Sequence, residues 1–374
     1  MTSTPDSQPT LLQGLRASSD RPRILVIRFG AMGDIVRTVP PVRLLRRELP
    51  DARIHWVLER QWRILVEGHR DLDSVVAAPR KEWDRSLRSP LRWPALLSSV
   101  REFGRLLRAT RPDLVLDFHG NLRSGLAGAM SGARLRLGYA GRQQKEGNRW
   151  LTTHRVDVPD PRAPRMDRNL SLLRGLGLSC ACLPAADLPL VDAGVGAAEE
   201  LLTALPKFER GFAVVAPGVS AKQDYKKPPA ELLAEACRAL ADASCVPLVV
   251  FGPGEEPDAR RVVALASGAA RLAPPTDLAQ LAALLSRARL FVGGDTGPMH
   301  LACATQCPVV ALYGPTDPRV NQPWGVPFRA LAPPERTYTG IKRLDRQAGR
   351  FEGLTGDAVR RAVDEILAES RAAR

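Results

Sequence analysis

The chain has 374 residues, 44% apolar and 25% charged, with a net charge of +14. That length exceeds what one hydrophobic core usually organises, so two domains are expected, and the composition is that of a soluble globular protein. No apolar run is long enough for a membrane-spanning helix, and six cysteines in a chain this long do not make a disulfide framework, which points to a reducing, cytoplasmic setting.

Residues 1–21 are polar, without an apolar core, and read as a disordered lead-in, not a signal peptide. "RILVIRF" (23–29) is apolar on both faces, as a buried parallel strand is. The turn "GAMGD", the helix-like "IVRTVPPVRLLRREL" and a second strand, "ARIHWVLE", follow. "KEWDRSLRSPLRWPALLSSVREFGRLLRATR" then mixes Trp83, Leu87, Leu91 and Trp93 with several arginines. Such a segment can lie on an anionic membrane. A parallel sheet needs a crossover helix at this place anyway, which favours a core-facing helix with its arginines outward. "PDLVLDFHG" and "NLRSGLAGAM" repeat the strand–turn–helix pattern.

Between 178 and 210 the pattern loosens into a small-residue, Pro-rich, loop-like stretch, where a domain junction is expected. The cycle restarts at "GFAVVAPGVS" and runs through "AELLAEACRALADA", "VPLVVFGPG", "EPDARRVVALAS", "TDLAQLAALLSRA", "RLFVGGD" and "PVVALYGPTDP". The expected domains are 22–190 and 191–350, each a doubly wound parallel sheet, with a closing amphipathic helix over 351–374. Through residue 192, Lys and Arg outnumber Asp and Glu 32 to 20; beyond it they are 22 to 20. The basic first half suits an anionic partner, though an Arg-rich surface serves solubility as well.

Ligands of doubly wound sheets bind beyond the carboxyl ends of the strands, so the polar turns matter most. In "FVGGDTGPMHLA" a strand runs into Asp295, Thr296 and Gly297, and Pro298 opens a helix that carries His300. Free amides at that helix start favour phosphate, and a plain helix cap uses the same residues. "GVSAKQDYKK" offers Lys226 or Lys227 to a diphosphate, and "FGPGEE" offers Glu255 or Glu256 to ribose hydroxyls. In the first domain Asp34, at a helix start, is either a general base or an N-cap. "DFHGNLRS" supplies Asp117, His119, Asn121, Arg123 and Ser124, with Asn121 also a candidate cap. No HExxH or GxSxG pattern occurs, so neither a bound metal nor a serine nucleophile is expected.

"ILVIRFGAMGDIVRTVPPVRLLRRELPDARIHWVLE", "DLVLDFHGNLRSG" and "FVGGDTGPMHLACATQCPVVALYGPTDP" together resemble the bacterial heptosyltransferases of lipopolysaccharide core synthesis, glycosyltransferase family 9. The last stretch is the most specific, matching an Asp-Thr-Gly-x-x-His loop. The resemblance implies a GT-B architecture, two Rossmann-like domains facing a cleft, with donor nucleotide in the C-terminal domain and acceptor in the N-terminal one. It implies Asp34 as catalytic base; Lys226, Glu256, Asp295, Thr296, Gly297 and His300 as donor-binding residues; and Gly33, His119, Asn121 and Arg123 on the acceptor side. Pro228 stands where the family carries Trp, and the Cys-rich segment of many members is replaced by "ERTYTGIKRLDRQAGR".

The function this implies is inverting, metal-independent and cofactor-free transfer of a sugar, heptose from ADP-heptose as first choice. The acceptor would be an anionic glycolipid of the lipopolysaccharide core, reached from the cytoplasm with peripheral contact at the inner membrane. Two alternatives stand beside it: a sugar-nucleotide epimerase of the same architecture, and a non-catalytic basic protein that binds membrane or nucleic acid. Nucleic acid is disfavoured as a partner by the 5% aromatic content and the absence of a recognised binding motif.

Overall fold

A computed structural model describes residues 10–158, 160, 162–203, 211–219, 221–334 and 350–372. The readings placed on 1–9 and on nearly all of "ERTYTGIKRLDRQAGR" lie outside the described residues. The chain divides into two compact units, one ending at Pro184 and the other beginning at Ala185.

The first unit carries strands β1 (Arg23–Ile27), β2 (Arg53–Glu59), β3 (Ser74–Ala78), β4 (Leu114–Asp117), β5 (Leu135–Tyr139) and β6 (His154–Val156). They form one sheet in the order β3-β2-β1-β4-β5-β6, with every pairing parallel. Its helices are α1 (Leu11–Ser18), α2 (Met32–Val36), α3 (Val39–Glu48), α4 (Arg80–Ser86), α5 (Trp93–Ala109), α6 (Leu122–Met130) and α7 (Arg165–Leu176). Ile24 to Ile27 are fully buried, as the two-sided apolar run of β1 requires. Phe103 and Leu107 turn one face of α5 into the core beside Leu25, Ile27 and Val76, so α5 is the crossover helix the sheet called for.

The second unit repeats the topology. Strands β7 (Phe212–Ala216), β8 (Val246–Val249), β9 (Arg271–Leu272), β10 (Phe291–Gly294), β11 (Val309–Leu312) and β12 (Phe328–Leu331) are ordered β12-β11-β10-β7-β8-β9, again all parallel. Helices α8 (Pro189–Thr203), α9 (Ala230–Asp242), α10 (Glu256–Leu265), α11 (Leu278–Arg287), α12 (Gly297–Ala304), α13 (Pro318–Asn321) and α14 (Gly356–Ala372) accompany it. Val359, Val363 and Ile366 of α14 join the core cluster of Leu233, Leu240 and Val249 and pack the closing helix on α9. In each unit the strand order reverses between the first and fourth strands, and at that switch point a doubly wound sheet leaves a crevice for ligands. The expected two-domain α/β fold is the one observed.

Two segments depart from the sequence reading. Thr10 to Ser18, assigned to a disordered lead-in, form a capped helix: Thr10 and Gln13 make a reciprocal capping box, and Leu12 and Leu15 are buried as α1 packs on α7. Part of the loop-like stretch after 178 is α8, whose Leu190, Gly194 and Ala198 lie on one buried face. Small residues disguise that helix because its neighbour comes very close. A Cβ on Gly194 would sit 2.0 Å from the Ala279 carbonyl oxygen of α11, whereas one on Gly196 would meet nothing within 4 Å.

Gly194→Ala is therefore expected to destabilise the protein by about 1–3 kcal/mol through overpacking. Gly196→Ala should be neutral or add up to roughly 1 kcal/mol from helix propensity. Urea denaturation of the two variants checks the contrast, and equal midpoints would remove the close α8–α11 contact.

Candidate active site

In the first unit the chain leaves β1 at Ile27 and enters α2 at Met32. Ala31 is the N-cap and makes no side-chain cap, so Asp34 is not the capping residue that its position at a helix start allowed. Its carboxylate is instead gripped by arginines. Arg28 pairs with Oδ2, Arg37 approaches Oδ1 at 2.6 Å, and Arg165 of α7 stands 3.5 Å from Oδ1. The side chain is 20% exposed. Burial pushes its pKa up, but Arg28, Arg165 and Arg37 together outweigh burial and hold it well below the usual carboxylate range. Asn169 of α7 donates to the Arg37 carbonyl and lies 3.3 Å from the Thr38 hydroxyl, while that hydroxyl donates to the Asp34 carbonyl at 2.8 Å. These bonds lock α7 to the α2–α3 link and set the position of Arg165.

The polar cluster after β4 separates into two parts. Asp117 is buried, and its oxygens accept from the His119 and Gly120 amides, the Ser124 hydroxyl and the Asn148 side chain at 2.8–3.0 Å. Burial raises its pKa against the pull of those bonds. Asn121 caps α6 in a capping box with Ser124. Arg123 is exposed and stands 4.0 Å from Asp84. Gly33 is buried within α2. Of the acceptor-side candidates, His119 is the one whose ring feels the charge of Asp34. Its ring meets Phe29 edge-on at 5.7 Å, and its buried Nδ1 has no hydrogen-bond partner among the described residues. Burial and Arg28 push its pKa down to about 3, against the nearby Asp34, so it is neutral at neutral pH.

The second unit places its residues at the β7–β10 switch point. Asp295 ends β10 and is buried; its Oδ2 accepts from Lys226 Nζ at 2.9 Å and from Asn321 Nδ2 at 3.0 Å. His300 Nε2 lies 3.8 Å from Oδ1. Burial raises the Asp295 pKa, but Lys226 and His300 hold it below the ordinary value. The two lysines part here: Lys226 turns to Asp295, whereas Lys227 bridges Asp224 and Asp258, both at 2.9 Å. Thr296 is the N-cap of α12 but makes no side-chain cap, and its hydroxyl is 3.4 Å from the Gly294 carbonyl. Pro298 has no N–H, so the first-turn donors of this uncapped helix start are the amides of Gly297 and Met299.

Glu256 and Glu255 face different ways. Glu256 forms an i,i+4 pair with Arg260 at 2.6 Å on the exposed side of α10. Glu255 accepts from the Gly252 amide at 2.8 Å, and its carboxylate fills the space over Gly218, where a Cβ would come within 1.9 Å of it. Of this pair, Glu255 is thus the one turned to the Gly218 and Gly252 turns at the strand ends of the second unit.

Sequence reasoning missed Arg28, Arg37 and Arg165. The first two were within reach, because Arg28 follows β1 directly and Arg37 is one helical turn after Asp34. Arg165 has no local signal, since only the docking of α7 brings it in. Among the described residues no group of three or more His, Cys, Asp or Glu could hold a metal ion. No helix among them is long and apolar enough to cross a membrane.

Residues 100–346 match the family profile described as "Glycosyltransferase family 9 (heptosyltransferase)". Lipopolysaccharide heptosyltransferase 1 of Escherichia coli (strain K12) is 26% identical over 301 residues, 79% of this chain and 89% of that protein. The crystal structure of a family 9 glycosyl transferase from Veillonella parvula DSM 2008 superposes with a TM-score of 0.78 at 20% identity, covering 93% of this chain and 98% of that one. The structure of E. coli heptosyltransferase WaaC with ADP-2-deoxy-2-fluoro heptose superposes at 0.70 and 22% identity, covering 92% and 99%.

The state of His119 yields a stability test. In the unfolded chain a histidine takes up a proton near pH 6.5, while the folded protein refuses it until about pH 3. Unfolding is therefore favoured as pH falls through that window, with a slope of up to about 1.4 kcal/mol per pH unit. His119→Gln should flatten the urea stability profile between pH 6 and 4 relative to the parent. An unchanged slope would mean that the imidazole already titrates normally in the fold.

Proposed function

The chain belongs to glycosyltransferase family 9, and from that premise we propose that it transfers heptose from ADP-heptose, with inversion, to an anionic sugar-lipid acceptor of the lipopolysaccharide core. The observation that carries this reading is Asp34 at the β1–β4 switch point, held between Arg28, Arg37 and Arg165. A base and three anion-binding groups occupy one place, which is what an acceptor bearing carboxylates or phosphates beside its reacting hydroxyl needs. The name of the E. coli relative and the nucleotide sugar bound to WaaC support heptose and ADP as donor parts.

The acceptor hydroxyl oxygen attacks the anomeric carbon. The bond from that carbon to the diphosphate oxygen breaks, its electron pair leaves with ADP, and the hydroxyl proton passes to the Asp34 carboxylate. Back-side attack inverts the anomeric centre. In the resting protein the three arginines make Asp34 a weak base. Anionic groups of the acceptor draw those guanidiniums onto themselves, and the Asp34 pKa rises toward the value a base needs. His119, neutral and with Nδ1 unused, is placed to hydrogen-bond the same acceptor.

On the donor side, charge growing on the leaving diphosphate is met by the first-turn amides of α12, the Thr296 hydroxyl and Lys226. Asp295 is a positioning residue: it holds Lys226, Asn321 and His300 about the helix start. This set of protein groups supplies the neutralisation that a divalent cation would otherwise give, so transfer is proposed to proceed without metal. Glu255, in place of Glu256, accepts from the ribose hydroxyls, as an acid does in dinucleotide-binding sheets.

Asp34→Asn should lower kcat for heptose transfer about 10²–10⁴-fold while leaving ADP affinity by calorimetry unchanged. Full transfer activity in that variant would remove Asp34 as the base. In parallel, Glu255→Gln should raise the donor KM roughly tenfold or more, the worth of a hydrogen bond to a charged group, and Glu256→Gln should leave it in place. The reverse pattern would return the ribose contact to Glu256.

A further inference from the structure

Exposed apolar side chains are distributed as unevenly as charge. Of ten large hydrophobic residues that stand out of the described surface, nine belong to the first unit and one, Leu265, to the second. Four of the nine fall within a single turn of chain from the end of α4 to the start of α5: Leu87 is 61% exposed, Leu91 94%, Trp93 52% and Leu97 54%. A soluble protein rarely leaves such a cluster bare without a use for it. The crossover role of α5 does not explain it, because Phe103 and Leu107 make the core contact and these residues lie elsewhere.

The same segment is strongly basic. Between 80 and 108 there are eight Lys and Arg against three Asp and Glu. Arg88, Arg92 and Arg101 are exposed and enter no ion pair among the described residues. The patch continues onto neighbouring elements. The helix α6 packs beside α5 and exposes Leu122 and Leu126 one turn apart. The helical turn Asn148–Trp150 packs on α6 and exposes Trp150, with the Arg149 guanidinium 4.8 Å over its ring. Leucine and tryptophan interleaved with unpaired arginine is the chemistry that enters the headgroup zone of a bilayer: apolar groups reach the acyl boundary and guanidiniums meet lipid phosphates. The helix α6 also begins at the carboxyl end of β4, next to His119, so the patch adjoins the acceptor side of the first unit.

We propose that the surface formed by Leu87–Leu97 and the exposed faces of α6 and Trp150 docks the protein onto an anionic phospholipid bilayer. The choice of a bilayer over another anionic surface rests on the lipid-linked acceptor of the proposed reaction. Docking holds the enzyme where that acceptor is embedded and presents the Arg28–Asp34 site to sugars at headgroup height.

The test is sedimentation of the full chain with vesicles of phosphatidylcholine alone and of phosphatidylcholine with phosphatidylglycerol. The parent should bind the anionic vesicles, release with rising salt, and bind neutral vesicles at least about tenfold more weakly. The double variants Leu91→Ser with Trp93→Ser, and Arg88→Glu with Arg92→Glu, should each lose at least about tenfold in binding to the anionic vesicles. Leu265→Ser, in the other unit, should bind as the parent does. The two double variants should keep transfer onto a water-soluble acceptor lacking acyl chains and lose it on an acceptor embedded in vesicles. Failure of the parent to bind anionic vesicles, or undiminished binding by both double variants, overturns the proposal. So does a concentration-dependent dimer abolished by the same substitutions, which would make the patch a self-association face. Vesicle binding that follows this pattern in a protein without transfer activity would uphold the docking surface and remove the transferase reading.

Discussion

A carboxylate withdrawn from water is tolerated only where positive charge and hydrogen bonds answer it, and Asp34 is answered by three arginines from three parts of the chain. Much of the first unit is arranged around that demand. The apolar strand β1 carries Arg28 to the mouth of the sheet. The short helix α2 sets Arg37 one turn from the carboxylate. Asn169 ties α7 to the α2–α3 link and fixes the reach of Arg165. The arrangement leaves net positive charge at the strand ends, and the proposed anion site and base both rest on that surplus.

The second unit meets the same constraint with different groups. Asp295 lies at the switch point of a sheet with the same strand order and is more deeply buried, but one lysine, one asparagine and one histidine answer it. There, in the proposed reading, the carboxylate is structural and the helix start beyond it faces the donor. Two similar folds thus differ in the cations they place around one aspartate: three guanidiniums at Asp34, and an ammonium that Asp295 holds beside the start of α12.

Much of this was legible in the chain, and the reasons for the rest are physical. The strands β1, β4, β7, β8, β10 and β11, buried over all or nearly all of their length, announce themselves as continuous apolar runs, and β2 does so over its second half. The strands at and near the sheet edges do not: β6 reads "HRV", β9 is two residues long, and β12 is only half-buried along its length. The helix α8 hides behind the small residues that permit its close packing, and α1 behind a polar flank. The glycine-rich turns marked the strand ends at both switch points. Which of two adjacent like residues points inward was not legible for Lys226 and Lys227 or for Glu255 and Glu256, since it depends on the backbone direction at a turn. Nor was the split of the "DFHGNLRS" cluster into a buried knot about Asp117 and a lone site-facing His119. Arg165 depends on a contact between segments more than a hundred residues apart in sequence, and such contacts leave no local pattern.

The most direct test of the arginine-held base is the pH dependence of heptose transfer over the range in which the protein stays folded. The acid limb of kcat/KM reports the free protein and that of kcat the complex with bound substrates. With Asp34 as the base, the kcat/KM limb should lie below the ordinary aspartate value of about 4. The kcat limb should lie at distinctly higher pH, because bound acceptor anions occupy Arg28, Arg37 and Arg165. Coincident limbs would mean that the acceptor does not relieve the arginines. A kcat/KM limb near neutral pH would mean that a group other than Asp34 takes the proton.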